Sequence, residues 1–185
     1  MGTIKATNIE PIANNGTVTL GSSGDTFTVP SGVTVNMSNA TQTGVGGDNT
    51  PAFLAYANSD QGSIGSDTYT KLTNYGVEVF DTDNKFSSSR FTPGVVGNYF
   101  IFGTAYLQNY GAQRSWVAIY KNGSIMVSCA DMPDSAQSYT LQVTGMVNVS
   151  NTSDYIEIFV RQQGTGTTAY SSGVSVKFGG YKLIT

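Results

Sequence analysis

Arg90-Phe91-Thr92-Pro93-Gly94-Val95-Val96-Gly97-Asn98-Tyr99-Phe100-Ile101-Phe102-Gly103-Thr104-Ala105-Tyr106-Leu107 decides the fold of this chain. Pro93-Gly94 has turn chemistry, because Pro presets one backbone angle and Gly accepts the next. The run from Asn98 to Leu107 that follows is aromatic and has no helical period, so it predicts a long strand. A strand this rich in large side chains, Tyr99 to Phe102, is expected to be buried in a β-sandwich.

Outward from that strand, apolar residues recur at a period of two from Pro51 onward. They predict strands near 52–58, 68–71, 77–80, 98–107, 115–121, 124–130, 138–149, 155–161 and 174–183. Asn122-Gly123 is the clearest turn, since both central positions of a two-residue hairpin favour that pair. In the run Tyr155 to Val160, Ile156, Ile158 and Val160 share one face, and Tyr155, Glu157 and Phe159 share the other. One face is core, and the other meets solvent or a subunit.

Residues 1–50 differ in texture, with no Tyr or Trp and Phe27 as their single Phe. Phrases such as Gly16-Thr17-Val18-Thr19-Leu20-Gly21 and Phe27-Thr28-Val29-Pro30 are too thin in apolar content to form a core alone. Two readings stay open for this arm: three copies wound together, or a flexible extension. The domains expected are therefore an arm over 1–50, reached through a glycine-containing link near 38–50, and a β head over 51–185.

Composition excludes several classes of function. The chain has 22 glycines in 185 residues, against a usual share of about 7%, and only 11% of its residues are charged. With net charge −3 and no basic run, nucleic acid is not an expected partner. No apolar run reaches the roughly 20 residues of a membrane span, and Met1 is not followed by a signal-peptide core. Membrane insertion is therefore not expected, and the chain is expected to start in a cytosol. The absence of histidine removes Ser-His-Asp and Cys-His catalysis and histidine-bound zinc. A paired-carboxylate glycosidase is left as the enzymatic alternative. The single cysteine, Cys129, lies in the apolar run 125–129 and is expected in the core.

Several of these segments together resemble a known family. They are Phe91, Gly97 and Tyr99 at their spacing, Tyr120-Lys121-Asn122-Gly123, Asp154-Tyr155-Ile156-Glu157 and Phe178-Gly179-Gly180-Tyr181-Lys182-Leu183. The opening Pro51-Ala52-Phe53-Leu54-Ala55-Tyr56 and the run from Val79 through Asp81-Thr82 to Phe86 belong with them. They resemble the globular head of complement component C-one-q and its tumour necrosis factor relatives; Ile101, where that family usually has Phe, is a departure that keeps an apolar side chain. The resemblance implies an all-β, ten-stranded jelly-roll sandwich that forms a homotrimer, has no enzyme activity, and binds through loops on its sides and apex.

The Gly- and Thr-rich arm resembles segments of bacteriophage tail fibres, which places the chain, as an expectation, in a virion. Its other partners would be virion proteins held through the arm. The head is expected to bind a host-surface glycan or outer-membrane protein, with a purely structural capsid or tail decoration role as the alternative. In the jelly roll the loops near 109–114, 131–137 and 163–172 share the end away from the arm. Their Asn109, Tyr110, Gln113, Arg114, Asp131, Asp134, Gln137, Gln163 and Tyr170 are the candidate receptor contacts. Phe53, Tyr56, Tyr106 and Tyr181 are candidate trimer contacts, as aromatic side chains suit subunit interfaces. Phe91, Tyr99, Phe100, Trp116 and Phe178 are assigned to the core or to subunit contacts. No cofactor is expected. The nearest approach to a calcium loop, Asp81-Thr82-Asp83-Asn84, lacks the alternating carboxylates of one and reads as a turn.

Overall fold

The computed structural model describes residues 9, 17–36, 49–107, 113–132, 138–163, 167–170 and 176–184. The chain divides into two compact units, Met1–Thr43 and Gly44–Thr185. In the first, residues 17–36 are exposed and hold two turns. The Asp25 N–H donates to the Ser22 carbonyl at 3.0 Å while Asp25 Oδ2 accepts the Ser22 N–H at 2.7 Å; the Val33 N–H reaches the Pro30 carbonyl at 3.3 Å.

The described part of the second unit is all β. Its strands are β1 (Ala52–Ala57), β2 (Gln61–Ile64), β3 (Thr70–Lys71), β4 (Tyr75–Asp81), β5 (Phe86–Ser87), β6 (Arg90–Phe91), β7 (Gly97–Leu107), β8 (Ser115–Lys121), β9 (Ser124–Asp131), β10 (Tyr139–Val149), β11 (Ile156–Gln162), β12 (Thr167–Tyr170) and β13 (Lys177–Lys182). Every strand pairing is antiparallel, and the strands form two sheets. In the first, β7 is flanked by β10 on one side and by β13 and β12 on the other; β1 pairs with β13, β2 with β12, and β4 closes the edge against β1. The second sheet runs β5-β6-β11-β8-β9, with β3 also on β11. The expected ten strands thus appear as thirteen segments among the described residues, because the rows beside β7 and beside β11 are each interrupted.

The opening stretch folds as its residues require. Gly94 has φ of +72°, which the turn demands and glycine supplies. Tyr99 is fully buried, and its hydroxyl donates to the Val95 carbonyl at 2.8 Å, closing the turn onto the strand it feeds. Burial and the nearby Asp83 charge push its phenol up to about 12. Along β7, Tyr99, Ile101, Gly103, Ala105 and Leu107 alternate inward against half-buried Phe100, Phe102 and Tyr106. Asn122 and Gly123 both have positive φ, +50° and +78°, as a two-residue hairpin turn between β8 and β9 needs.

An aromatic cluster fills the space between the sheets. Phe53 stacks on Phe91 at 4.3 Å and Phe86 at 4.8 Å, and meets Phe178 edge-on at 4.8 Å. Each such ring contributes about 1.5–3 kcal/mol by leaving water. Phe53 was expected at a subunit contact, but it is 1% exposed and belongs to this core. The reason is parity: Phe53 and Tyr56 are three residues apart on one strand, so they point to opposite faces. Cys129 also departs from expectation. It lies exposed on β9, an edge strand that leaves seven of its eight residues exposed, and within the run 125–129 it is Val127 that packs against the core.

Candidate functional site

Strand register brings the strand ends that flank the three expected loops to one end of the head. Ser115, first residue of β8, faces Asp131 on β9 and Gln162 on β11, while Tyr139, first residue of β10, faces Leu107, the last of β7. The Gln163 N–H donates to the Arg114 carbonyl at 2.8 Å, tying two of the loops together. This end lies opposite Pro51, whose carbonyl accepts the Lys182 N–H beside the start of β7.

Among the expected receptor contacts, Arg114, Asp131 and Gln163 meet at this end and are exposed, and Gln113 is half-buried there. Asp131 is the final residue of β9, not part of a loop, and its Oδ1 accepts the Met132 N–H at 2.8 Å. Tyr170 also lies on a strand: β12 pairs with β7, opposite Tyr106, inside a segment expected to be loop. The Gly-Thr-Gly-Thr-Thr sequence before it has turn composition, and pairing with β7 overrides that local preference. Asn109, Tyr110, Asp134 and Gln137 lie outside the described residues. Beneath this end, burial raises the Tyr139 phenol, and the Asp131 charge adds to that rise.

The outward face of the second sheet carries a ladder of rings and guanidinium groups that the sequence did not single out. Trp116 and Tyr120 point outward from β8, and Phe159 and Arg161 from β11, with Arg161 opposite Trp116. The Arg161 guanidinium lies 4.5 Å from the Trp116 ring and 5.7 Å from Tyr69, and that of Arg114 lies 5.9 Å from Trp116. Tyr120 stacks on Phe159 at 4.0 Å and meets Tyr69 edge-on at 5.6 Å. Arg161 is held by Asp67 through Nε at 3.0 Å and also through Nη2, and this bond raises its pKa further. Below the ladder, buried Glu157 pairs with Lys71 at 2.6 Å and Arg90 at 2.8 Å, and Arg90 stacks 3.9 Å from Tyr155. Trp116, expected in the core or at a subunit contact, is half-buried on this outer face. A period-two reading of Trp116 with Tyr120 and of Phe159 with Arg161 is the signal that marks them as one surface.

The outward face of the first sheet is apolar. Register sets Met146, Phe100, Tyr181 and Ala52 in one row, and Thr144, Phe102, Gly179, Leu54 and Phe80 in the next. A third row holds Gln142, Thr104, Lys177, Tyr56 and Val77. Phe100 packs 5.6 Å from Tyr181 and 6.3 Å from Phe102. Met146, Phe80 and Val77 stay 55%, 47% and 46% exposed in the single chain, and Lys177 is the charged side chain within these rows. Tyr56 and Tyr181, expected as subunit contacts, lie on this face, and Tyr106 is half-buried against the core at its upper end. Among the described residues no three side chains of metal-ligating type come together.

At the end near Pro51, Asp154 is 6% exposed and locks the hairpin between β8 and β9 to the loop before β11. It accepts from Asn122 Nδ2 at 2.7 Å, the Ser150 N–H at 2.9 Å and the Asn151 N–H at 3.2 Å, with Lys121 Nζ at 3.4 Å. The Asn122 bond, then the backbone donors, hold its carboxyl well below the usual range.

No family model matches the chain, and no curated protein matches it in sequence. Solved structures do match in shape. The Eiger TNF of S. frugiperda superimposes with a TM-score of 0.56 at 11% identity, covering 71% of this chain and 91% of that one. The globular domain of zebrafish complement 1qA gives 0.53 at 16% identity, covering 72% and 98%. Murine APRIL gives 0.54 at 13% identity, covering 71% and 98%. The second unit of this chain therefore has the jelly-roll fold of the tumour necrosis factor and complement 1q globular heads.

Proposed function

We propose that this chain is the subunit of a homotrimeric virion appendage, and that the end of its head opposite Pro51 adsorbs to a host-surface glycan or outer-membrane protein. One observation carries the assembly: the aromatic and aliphatic rows on the outer face of the first sheet, which a lone chain leaves partly in water. The exposed edge strand β9 offers a second, different apolar surface in Ile125 and Met126, 47% and 43% exposed. Two unlike patches that mate head to tail generate a ring, and the trimeric expectation attached to this fold sets its order at three. Isologous pairing of one patch with itself does not use both.

Three subunits in a ring carry three copies of Arg114, Asp131 and Gln163 on one side. Weak single contacts then act at high effective concentration and gain roughly 10²–10⁴ in avidity. The reaction is binding, with no catalytic constellation proposed. The test is competition: purified protein added before intact particles lowers their adsorption to host cells in a dose-dependent way. Unchanged adsorption at saturating protein, with the protein detected on the particle, assigns the chain to structural decoration instead.

A further inference from the structure

Asn-Gly occurs twice in the chain, at 15–16, which lies outside the described residues, and at 122–123 in the exposed turn between β8 and β9. This dipeptide carries chemistry of its own. In an unfolded chain the glycine nitrogen, with no side chain to shield it, attacks the asparagine carboxamide carbon. The N–Cγ bond forms, the Cγ–Nδ2 bond breaks, and the amide nitrogen leaves as ammonia with the proton given up by the glycine N–H. Water then opens the five-membered imide at one of its two carbonyls, leaving aspartate or its β-linked isomer. Water is the only co-reactant.

The head holds Asn122 where this ring does not close. Asn122 and Gly123 have φ of +50° and +78°, and in a turn with both positive the first residue has ψ of about +30°. The Gly123 nitrogen then lies nearly opposite the Asn122 Cβ about the Cα–C bond, whereas closure needs the two on the same side. A rotation of roughly 150° separates the two geometries. Three bonds oppose it. The Asn122 N–H donates to the Tyr155 carbonyl at 3.1 Å, Asn122 Oδ1 accepts the Tyr155 N–H at 2.9 Å, and Asn122 Nδ2 donates to Asp154 Oδ1 at 2.7 Å. The nitrogen that would depart is therefore itself bonded to a carboxylate. Asp154 in turn is 6% exposed and accepts the Ser150 and Asn151 N–H groups, so this anchor belongs to the loop before β11 and not to the turn.

We infer that Asn122 is a deamidation site that the fold keeps closed, with the Asp154 loop as its gate, and that its conversion unlocks the base of the head. The product accounts for the second part. A carboxylate at position 122 has no N–H to give Asp154 and sets a second negative charge against a nearly buried one. The β-linked isomer also adds a backbone atom to a turn built for two residues. A head that opens and is modified does not rebuild this contact.

The full chain is incubated in mildly alkaline buffer made with heavy-oxygen water, folded and in urea, and conversion at Asn122 is read by peptide mapping with mass spectrometry. Heavy oxygen marks the conversion that takes place during incubation. In urea Asn122 should convert alongside Asn15, and in the folded protein at least about tenfold more slowly, as loss of a charge-assisted bond predicts. Asp154→Ala should convert at least about tenfold faster than folded wild type. Asp154→Asn, whose amide oxygen still accepts but without charge, should convert at least about threefold faster, and it carries the test if Asp154→Ala does not fold. Gly180→Ala, destabilised elsewhere, should convert as wild type does. Equal rates in folded and urea-treated wild type overturn the inference. So do Asp154 variants that convert at the wild-type rate, or a Gly180→Ala rate as high as theirs, which makes global unfolding the gate. Asn122→Asp supplies the product directly and should lower the thermal midpoint by at least about 3 °C; an unchanged midpoint overturns the unlocking of the base.

Discussion

Replacing Phe80 with Ser tests the proposed assembly surface. Phe80 lies on β4, opposite Leu54, and is 47% exposed. Full burial of a Phe side chain is worth about 1.5–3 kcal/mol. The 47% left for a neighbour to cover therefore corresponds to about 1 kcal/mol per subunit. Three copies give about 3 kcal/mol per trimer, roughly a hundredfold in the assembly constant at about 1.4 kcal/mol per tenfold. The part of the ring already covered in the single chain is of similar size, so the substitution also costs folding about 1 kcal/mol, which urea unfolding reads separately from association. Sedimentation velocity over a range of concentrations reads it directly: Phe80→Ser should dissociate at concentrations where wild type remains whole, with the subunits still folded by far-UV dichroism. Equal dissociation profiles for the two proteins refute the placement of this face between subunits.

Three further outcomes follow from particular contacts. Because the folded state lowers the Asp154 carboxyl, its charged form stabilises the head above the ordinary carboxylate pKa of about 3.9, and that contribution disappears as pH falls below it. Thermal melts should be level from about pH 7 to 5 and drop below about pH 4, and Asp154→Asn should start lower and drop less steeply; parallel curves contradict this. Gly180→Ala should destabilise by about 1–3 kcal/mol in urea unfolding, because a Cβ there meets Ile101 Cδ1 at 2.5 Å and the Phe100 carbonyl oxygen at 2.8 Å. An unchanged midpoint removes that argument. Tyr99→Phe removes the 2.8 Å bond to the Val95 carbonyl and should lower stability by about 1 kcal/mol in the same assay, with no change in solution mass.

The legible part of the sequence was the part where local chemistry and tertiary packing agree. Strand β8 has the bounds its pattern predicted, and Ile156, Ile158 and Val160 are all buried on one face. Asn122-Gly123 makes the turn it announces. What was not legible depends on partners distant in the chain. Strand β12 has turn-like residues before it and forms because β7 and β2 lie beside it. The pairs β5 and β6 are two residues each, too short to show a period. Cys129 sits in an apolar run that looks like core, but β9 is an edge, and nothing in the run itself says so. At the candidate site, Arg114 and Gln163 were found from loop position alone. The ladder was missed because it joins Tyr69, Trp116 and Arg161 from three separate segments, which only the register of β8 with β11 brings together.

The solution mass of the purified chain tests the central claim most directly, since the shared binding end and its avidity both depend on three subunits. Light scattering coupled to size exclusion should give three times 19.5 kDa, about 58 kDa, at micromolar concentration. A single species at 19.5 kDa would contradict the account.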